Sequence, residues 1–433
     1  MARNMILHAR LLRGSCIKWM LVWMSLLMIP RSKGRLHWTL IPDPSLLRPA
    51  SWDNATLSEN VGLMKYEKVF STLSEFSFTK AVSDENITVI DTNFSDIPVR
   101  LYFLKKNSEK QRPAVIFIHG GIFVFGSVKC CQSISLHDSQ SEDYKVSISF
   151  FSEVPANDAL NRLTAKKLGA VVVGIDYRLA PKNIFPASLE DCIFAVKFFL
   201  QDKVLAKYRV DPARICIAGD SSGASLVALV TQTLQNDPEF KGRIKAQALI
   251  YPGLQMIDSY LPSHQDYEHG PILFRNMAFK LVSLYVSEDT ALAQAILRNE
   301  HMPEGSRHLF KFVNWSYFLP EKYKKNHVYT EPILGKLNPS YPALVDSRLS
   351  PLLASDSQLQ SVPLTYILTC EHDLVRDDGL IYLSRLRNVG VQVTHDHIED
   401  GIHAALSYTT GTVVLQLGFR IRDRYINWLV ENL

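Results

Sequence analysis

The sequence predicts an α/β fold: a mostly parallel, twisted sheet with helices on both faces and a helical cap. From Pro113 to Leu234 short apolar, β-branched runs alternate with helical patterns, which is the rhythm of βαβ units. One of those runs ends in a glycine-flanked serine, Gly219-Asp220-Ser221-Ser222-Gly223, that leads directly into a helical pattern. Strand rhythm then stops between Leu254 and about Pro351 and resumes at Leu364, as it would around a helical insertion. With 433 residues and 47% hydrophobic content, one large domain over residues 36–433 accommodates all of this.

The N-terminus differs from the rest. Formal charge is +4, yet residues 1–35 hold seven Lys/Arg and no acid, leaving 40 basic against 43 acidic residues beyond them. That body offers no basic groove, so no nucleic-acid partner is expected. Within residues 1–35, Trp19 to Ile29 is an apolar run closed by Pro30. Crossing a bilayer takes about 20 residues, so this run reads as a signal h-region or a shallow anchor. Arg31-Ser32-Lys33 follows with no small-residue cleavage site, which favours a retained anchor, and basic residues on both sides leave its orientation open. Sequons at Asn54, Asn86, Asn93 and Asn314 lean toward a luminal or extracellular body. Of the six cysteines, Cys192 and Cys216 lie in apolar patterns and read as core. No C-x-x-C and no metal-ligand spacing occurs, so neither a metal, a cofactor nor a disulfide framework is expected.

In chain order, residues 36–83 mix Pro, Trp and amphipathic stretches and read as helical cover for one face of the core. Asn86–Asp91 and Val99–Leu104 alternate like a hairpin around the turn-rich Thr92–Asp96. Pro113–His119 is a wholly apolar strand running into Gly120-Gly121-Ile122. Two glycines after a buried strand let main-chain N–H groups face a cavity, as an oxyanion hole requires, and His119 is placed to pin that loop. Residues 128–157 form a long polar insertion containing Cys130-Cys131, unusual in a compact domain. The rhythm resumes with a helix (Ala159–Leu168), a strand (Ala170–Ile175), the turn Asp176–Pro181 and a helix (Leu189–Gln201). Strand Arg214–Ala218, the serine turn, helix Ala224–Leu234 and strand Ala246–Ile250 come next. Residues 254–351 carry helical segments at Phe274–Ser287 and Ala291–Leu297 and an aromatic stretch at Phe310–Phe318, which read as a cap with an apolar acyl or aryl pocket. Leu364–Thr369 and Val391–His397 are late strands, with helix Gly379–Val389 between them and an amphipathic helix, Val413–Leu429, at the end.

The order of three side chains carries the chemistry. A serine hydroxyl attacks an ester only if an imidazole takes its proton, and a carboxylate must orient that imidazole. Ser221 sits at a strained strand-to-helix elbow, Asp373 follows the strand at Leu364–Thr369, and His403 follows the last strand. Asp377 and Asp378 read as helix N-terminal charges, His395 and His397 as strand residues facing solvent or core, and His372 as too early in the chain to be the base.

Taken together, His119-Gly120-Gly121, Asp176-Tyr-Arg-Leu-Ala-Pro181, Gly219–Gly223, Asp373 with Arg376-Asp-Asp-Gly379, and His403 resemble the hormone-sensitive-lipase-like branch of the α/β-hydrolases, in particular its arylacetamide deacetylase-like members. The resemblance spans most of residues 100–410. It implies an α/β-hydrolase fold, Ser221 as nucleophile with Asp373 and His403, and oxyanion donors at the N–H groups of Gly121, Ile122 and Ser222. It also implies a small apolar ester or amide substrate (a carboxylic ester, aryl acetamide or neutral lipid ester) and a luminal body anchored in the endoplasmic reticulum membrane through the N-terminal segment. Ile122 stands where such relatives usually carry a third glycine, and Ser222 where they usually carry alanine. A β-branched residue in that loop, beside a long insertion, keeps a second reading in view: a ligand-binding or interaction protein that retains the fold with weakened catalysis.

Overall fold

The computed structural model describes residues 80–105, 110–127, 156–337, 341–410 and 414–433. The N-terminal segment 1–35, the cap stretch 36–79 with Asn54, and residues 128–155 of the insertion lie outside these residues. Among the described residues, no helix is long and apolar enough to cross a membrane.

The chain opens with strands β1 (Ile87–Phe94), β2 (Ile97–Leu104) and β3 (Arg112–Ile118). It continues through α1 (Ala156–Leu168), β4 (Val171–Ile175), α2 (Ala187–Phe199), α3 (Asp202–Tyr208), β5 (Val210–Asp220), α4 (Ser222–Gln235) and β6 (Ala246–Ile250). Short helices α5 (Pro262–Asp266), α6 (Arg275–Val286), α7 (Thr290–Leu297), α8 (Trp315–Phe318), α9 (Glu321–Lys324) and α10 (Asp356–Leu359) fill the interval before β7 (Leu364–His372). The chain ends with α11 (Arg376–Asn388), β8 (Val393–Ile402) and α12 (Gln416–Asn432).

The eight strands form one sheet in the order β1-β2-β4-β3-β5-β6-β7-β8. The hairpin β1–β2 is antiparallel, β2 runs antiparallel to β4, and every later pairing is parallel. Because the parallel strands are covered on both faces, they read as unbroken apolar runs rather than alternating ones. All seven residues of β3 are buried, with Ala114, Ile116 and Ile118 in one core and Val115 and Phe117 in the other. The second core takes α12, through Ile421, Tyr425 and Leu429; the first takes α2 and α4. Thirteen of the fourteen residues of α4 are buried, so the helix after the serine turn is held on all sides.

Two of the boundaries that differ from the sequence reading bear on the site. Strand β8 continues to Ile402 across a register shift opposite Cys370 and His372, so Asp400–Ile402 belong to a strand and not to the following loop. Helix α11 begins at Arg376 and not at Gly379, with Asp377 and Asp378 in its first turn as their reading as N-terminal charges implies.

The chain passes from β3 to β4 on one side and then returns to β5 on the other. Open α/β sheets bind ligands in the crevice where the winding reverses, outside the carboxyl ends of the strands. Here that crevice lies between His119, just after β3, and Ser221, just after β5.

Candidate active site

The last residue of β5 pairs with Ile250 of β6, and the chain turns into α4 within one residue. Ser221 absorbs the turn at φ 54° and ψ −125°, a conformation that costs an L-residue of order 1–3 kcal/mol and is paid back only by rigid surroundings. The bend also forces α4 against β3. A Cβ at Gly223 would lie 2.2 Å from the carbonyl oxygen of Ile118, so no larger residue fits there.

Ser221 Oγ lies 2.9 Å from His403 Nε2. On the far side of the ring, His403 Nδ1 lies 2.9 and 3.0 Å from the two carboxylate oxygens of Asp373. A carboxylate can only accept, so the proton sits on Nδ1 and the Nε2 lone pair faces the serine hydroxyl. Asp373 is 1% exposed, and the Val375 N–H also donates to its Oδ1 at 2.9 Å. Three residues from β5, β7 and β8 are thereby brought to one sheet edge, though 182 positions separate Ser221 from His403.

The loop after β3 is the second half of the site. Gly121 adopts φ +126°, and a Cβ there would meet the Phe125 carbonyl oxygen at 2.2 Å. Ile122 and Phe123 follow at φ 56° and 61°, in the left-handed region that β-branched and bulky residues rarely enter. The Val124 and Phe125 N–H groups both donate to the Gly121 carbonyl, closing a tight turn. Among the described residues, nothing accepts from the N–H groups of Gly121, Ile122 or Ser222, and Ile122 and Ser222 line the same pocket as Ser221.

Several residues hold that loop, and the sequence reading missed most of them. Asp220 accepts from the Gly120 N–H at 2.9 Å; burial pushes its carboxyl pKa up, opposed by that hydrogen bond. Ser222 Oγ accepts from the Phe123 N–H at 3.3 Å, so the hydroxyl at this position has a use that alanine would lack. His119 donates from Nδ1 to the Gly120 carbonyl at 2.8 Å and stacks on Tyr177 at 4.4 Å. The Tyr177 hydroxyl donates to the His119 carbonyl at 2.7 Å, and the Ala180 N–H donates to the Phe123 carbonyl at 2.9 Å. Arg178 in turn grips Asp191 of α2 through both carboxylate oxygens. The Asp176–Pro181 stretch is therefore the buttress of the glycine loop. Its advance signal was its place among the motifs that carried the family resemblance, with nothing local to show what it would hold.

His372 is exposed, and its ring meets Tyr267 edge-on. His395 and His397 both meet Thr369 Oγ1 at 2.8 Å, away from the serine. Asp377 and Asp378 are buried against the residues that follow β6. Cys192 and Cys216 are buried and free, while Cys16, Cys130 and Cys131 lie outside the described residues. Asn86 and Asn93 are exposed on the hairpin, and Asn314 caps α8, accepting from the Ser316 N–H at 3.0 Å.

A pocket opens at Ser221. Its apolar wall comes from Met256, Leu273, Phe279, Val282, Ile296 and Leu349, nearly all of them in the helical stretch between β6 and β7.

Comparison with known proteins places this geometry in context. A family profile of the α/β-hydrolase fold matches residues 149–300 and 312–407. The chain is 59% identical to human arylacetamide deacetylase-like 2, over 87% of this chain and 88% of that one. It is 43% identical to rabbit (Oryctolagus cuniculus) arylacetamide deacetylase, covering 87% and 88%. Neutral cholesterol ester hydrolase 1 of Pongo abelii is 38% identical, covering 83% of each. Among solved structures, a hyperthermophilic esterase from Pyrobaculum calidifontis superposes with a TM-score of 0.52 at 21% identity, over 91% of this chain and 95% of that one. A thermostable esterase from Pseudomonas putida does so at 0.56 and 18%, over 88% and 96%.

Proposed function

This chain belongs to the α/β-hydrolase family that includes the arylacetamide deacetylases and is an ester hydrolase, and from that premise we propose that Ser221, His403 and Asp373 form its catalytic triad. Ser221 attacks the carbonyl carbon of a carboxylic ester, an aryl acetamide or a neutral lipid ester. His403 Nε2 takes the hydroxyl proton and then gives it to the departing alcohol or amine, and Asp373 stabilises the imidazolium formed in between. The N–H groups of Gly121, Ile122 and Ser222 receive the negative charge on the tetrahedral oxygen. Water then enters, His403 activates it in the same way, and the acyl group leaves Ser221 as an acid.

The observation that carries this reading is the unbroken relay from hydroxyl to imidazole to buried carboxylate, each step at 2.9 Å. The three N–H groups with no acceptor of their own support the oxyanion assignment. Labelling by a fluorophosphonate probe tests it. The chain is expected to label, and Ser221→Ala to lose the label; absence of labelling in well-folded protein would sink the reading.

We further propose that Trp19–Ile29 attaches the chain to the endoplasmic reticulum membrane with the hydrolase domain in the lumen. The apolar run, the adjoining Arg31-Ser32-Lys33 and the four sequons support this. Resistance to alkaline carbonate extraction, lost on removing residues 1–35, is the expected result.

A further inference from the structure

The pocket at Ser221 is not apolar throughout. Asp258, His264 and His301 line it as well, and none of them is more than 2% exposed. Each contributes one side-chain atom with no hydrogen-bond partner among the described residues: Asp258 Oδ2, His264 Nδ1 and His301 Nδ1.

The protonation states follow from the bonds these residues do make. His301 Nε2 lies 2.9 Å from the Met256 carbonyl, which can only accept, so Nε2 carries the proton. Burial holds this imidazole neutral, with its pKa lowered to about 4, so Nδ1 is a bare acceptor. His264 is also kept neutral by burial, with its pKa lowered to about 3 against the opposing pull of the Ser259 backbone, and its unpaired Nδ1 donates or accepts according to the tautomer. Asp258 Oδ1 accepts from the Tyr260 N–H at 2.8 Å and from the Asn299 amide at 2.9 Å, while Oδ2 accepts nothing. Arg275 is near enough to act on Asp258 electrostatically, while its Nε and Nη2 donate to the Ser259 and Leu297 carbonyls. Buried acceptors without donors are costly, and proteins seldom keep them without a use.

We propose that Asp258, His264 and His301 form a subsite that receives a hydrogen-bond donor on the substrate, a hydroxyl or an amine carried away from the bond that is cleaved. The subsite rests on the hydrolase reading above and specifies the substrate within it. Among the described residues, no three such side chains are placed to share a metal ion, so one substrate donor need not meet all three. The surrounding Met256, Phe279 and Ile296 favour an apolar spacer between the donor and the reacting carbonyl. An apolar pocket discriminates weakly against an added hydroxyl, whereas a site with unmet acceptors discriminates strongly against the analogue that lacks one.

The test compares nitrophenyl octanoate with isosteres whose terminal methyl is replaced by a hydroxyl or by an ammonium. Heptyl acetate and its terminal-hydroxyl isostere place the same donor on the alcohol side. The expected result is a preference of at least about tenfold in kcat/KM for a donor-bearing member of one series. That preference should fall to near one in His301→Phe and in Asp258→Asn. A ratio is internal to each preparation, so partial misfolding of one variant does not disguise the result. Wild-type ratios within twofold in both series, as expected if only water occupies the subsite, or a preference that survives both substitutions, would overturn it. Calorimetric binding of the same intact esters to Ser221→Ala gives the ratio without turnover. A chain that binds the donor-bearing ester preferentially and cleaves neither member would overturn the hydrolase reading alone.

Discussion

At the scale of single residues, the site depends on backbone conformations that side chains resist. Ser221 at φ 54° and Ile122 at φ 56° are held in the left-handed region by their neighbours, through the Ser221 N–H to the Ile250 carbonyl and the turn closed on the Gly121 carbonyl. Gly121 differs because its φ of +126° is open to glycine alone, and a methyl group there would sit inside the Phe125 carbonyl. Gly121→Ala must therefore rebuild the loop, moving the Gly121 and Ile122 N–H groups off the oxyanion they are proposed to receive. Losing one such donor costs roughly 3–4 kcal/mol of transition-state stabilisation, about 100- to 1,000-fold in rate. The expected outcome is a fall of that size in kcat with KM changed by less than about threefold, because the donors act on the transition state and not on the bound ester. Steady-state kinetics on nitrophenyl acetate, with a thermal melt to confirm folding, checks it. Unchanged kcat would mean that the oxyanion is stabilised elsewhere.

At the scale of elements, the opening turn of α11 joins the Asp373 loop to the helical stretch between β6 and β7. Arg376 pairs with Asp377 and with Glu371 and lies 4.0 Å over the Tyr323 ring of α9. Asp377 accepts from the Ser263 N–H of α5, and Asp378 accepts from the Leu254 N–H and the Gln255 side-chain amide. The sequence located these acids correctly in a first helical turn, but their cap-side partners lie more than a hundred residues away and leave no local signal. Burial pushes the Asp378 carboxyl up from 3.8 to about 7. Across that window the folded chain keeps a proton that the unfolded chain has lost, so this residue makes stability fall as pH rises, by about 1.4 kcal/mol per unit. Asp378→Asn removes the effect: the fall in unfolding free energy between roughly pH 5 and pH 7 should be smaller than in the wild type by about 2–3 kcal/mol. Urea titrations at several pH values measure this, and parallel profiles for the two proteins would refute it.

At the scale of the whole molecule, what the sequence could reveal was set by the range of the interaction concerned. The strand-serine-helix turn was legible because sterics require glycine within two residues of Ser221, and the later strands because burial on both faces writes continuous apolar runs. The strand order was not legible: that β4 lies outside β3, and that β2 closes antiparallel on β4, is decided by pairings such as Val99 with Ile175 across the chain. Nor was the proposed subsite of Asp258, His264 and His301, since isolated polar residues among aromatics look the same whether they face solvent or a pocket. Among the described residues, that sheet order leaves β1 at an edge with no strand beside it, and an unpaired edge strand invites pairing with other chains unless it is covered or blunted. Two sequons fall on this hairpin: Asn86, one residue before β1, and Asn93, near its end, both exposed. With the domain in the lumen, as proposed, glycans at these positions would shield the β1 edge. The full-length chain made in mammalian cells is thus expected to show an endoglycosidase-sensitive mass that drops by two glycans in the Asn86→Gln, Asn93→Gln double variant. The variant should also sediment more readily as aggregate after mild heating, because its β1 edge has lost those glycans, while fluorophosphonate labelling of the soluble fraction at Ser221, which follows β5 four strands away, stays at wild-type levels. A chain with no glycan at either asparagine would place the domain on the other side of the membrane or leave the edge to be covered by other means.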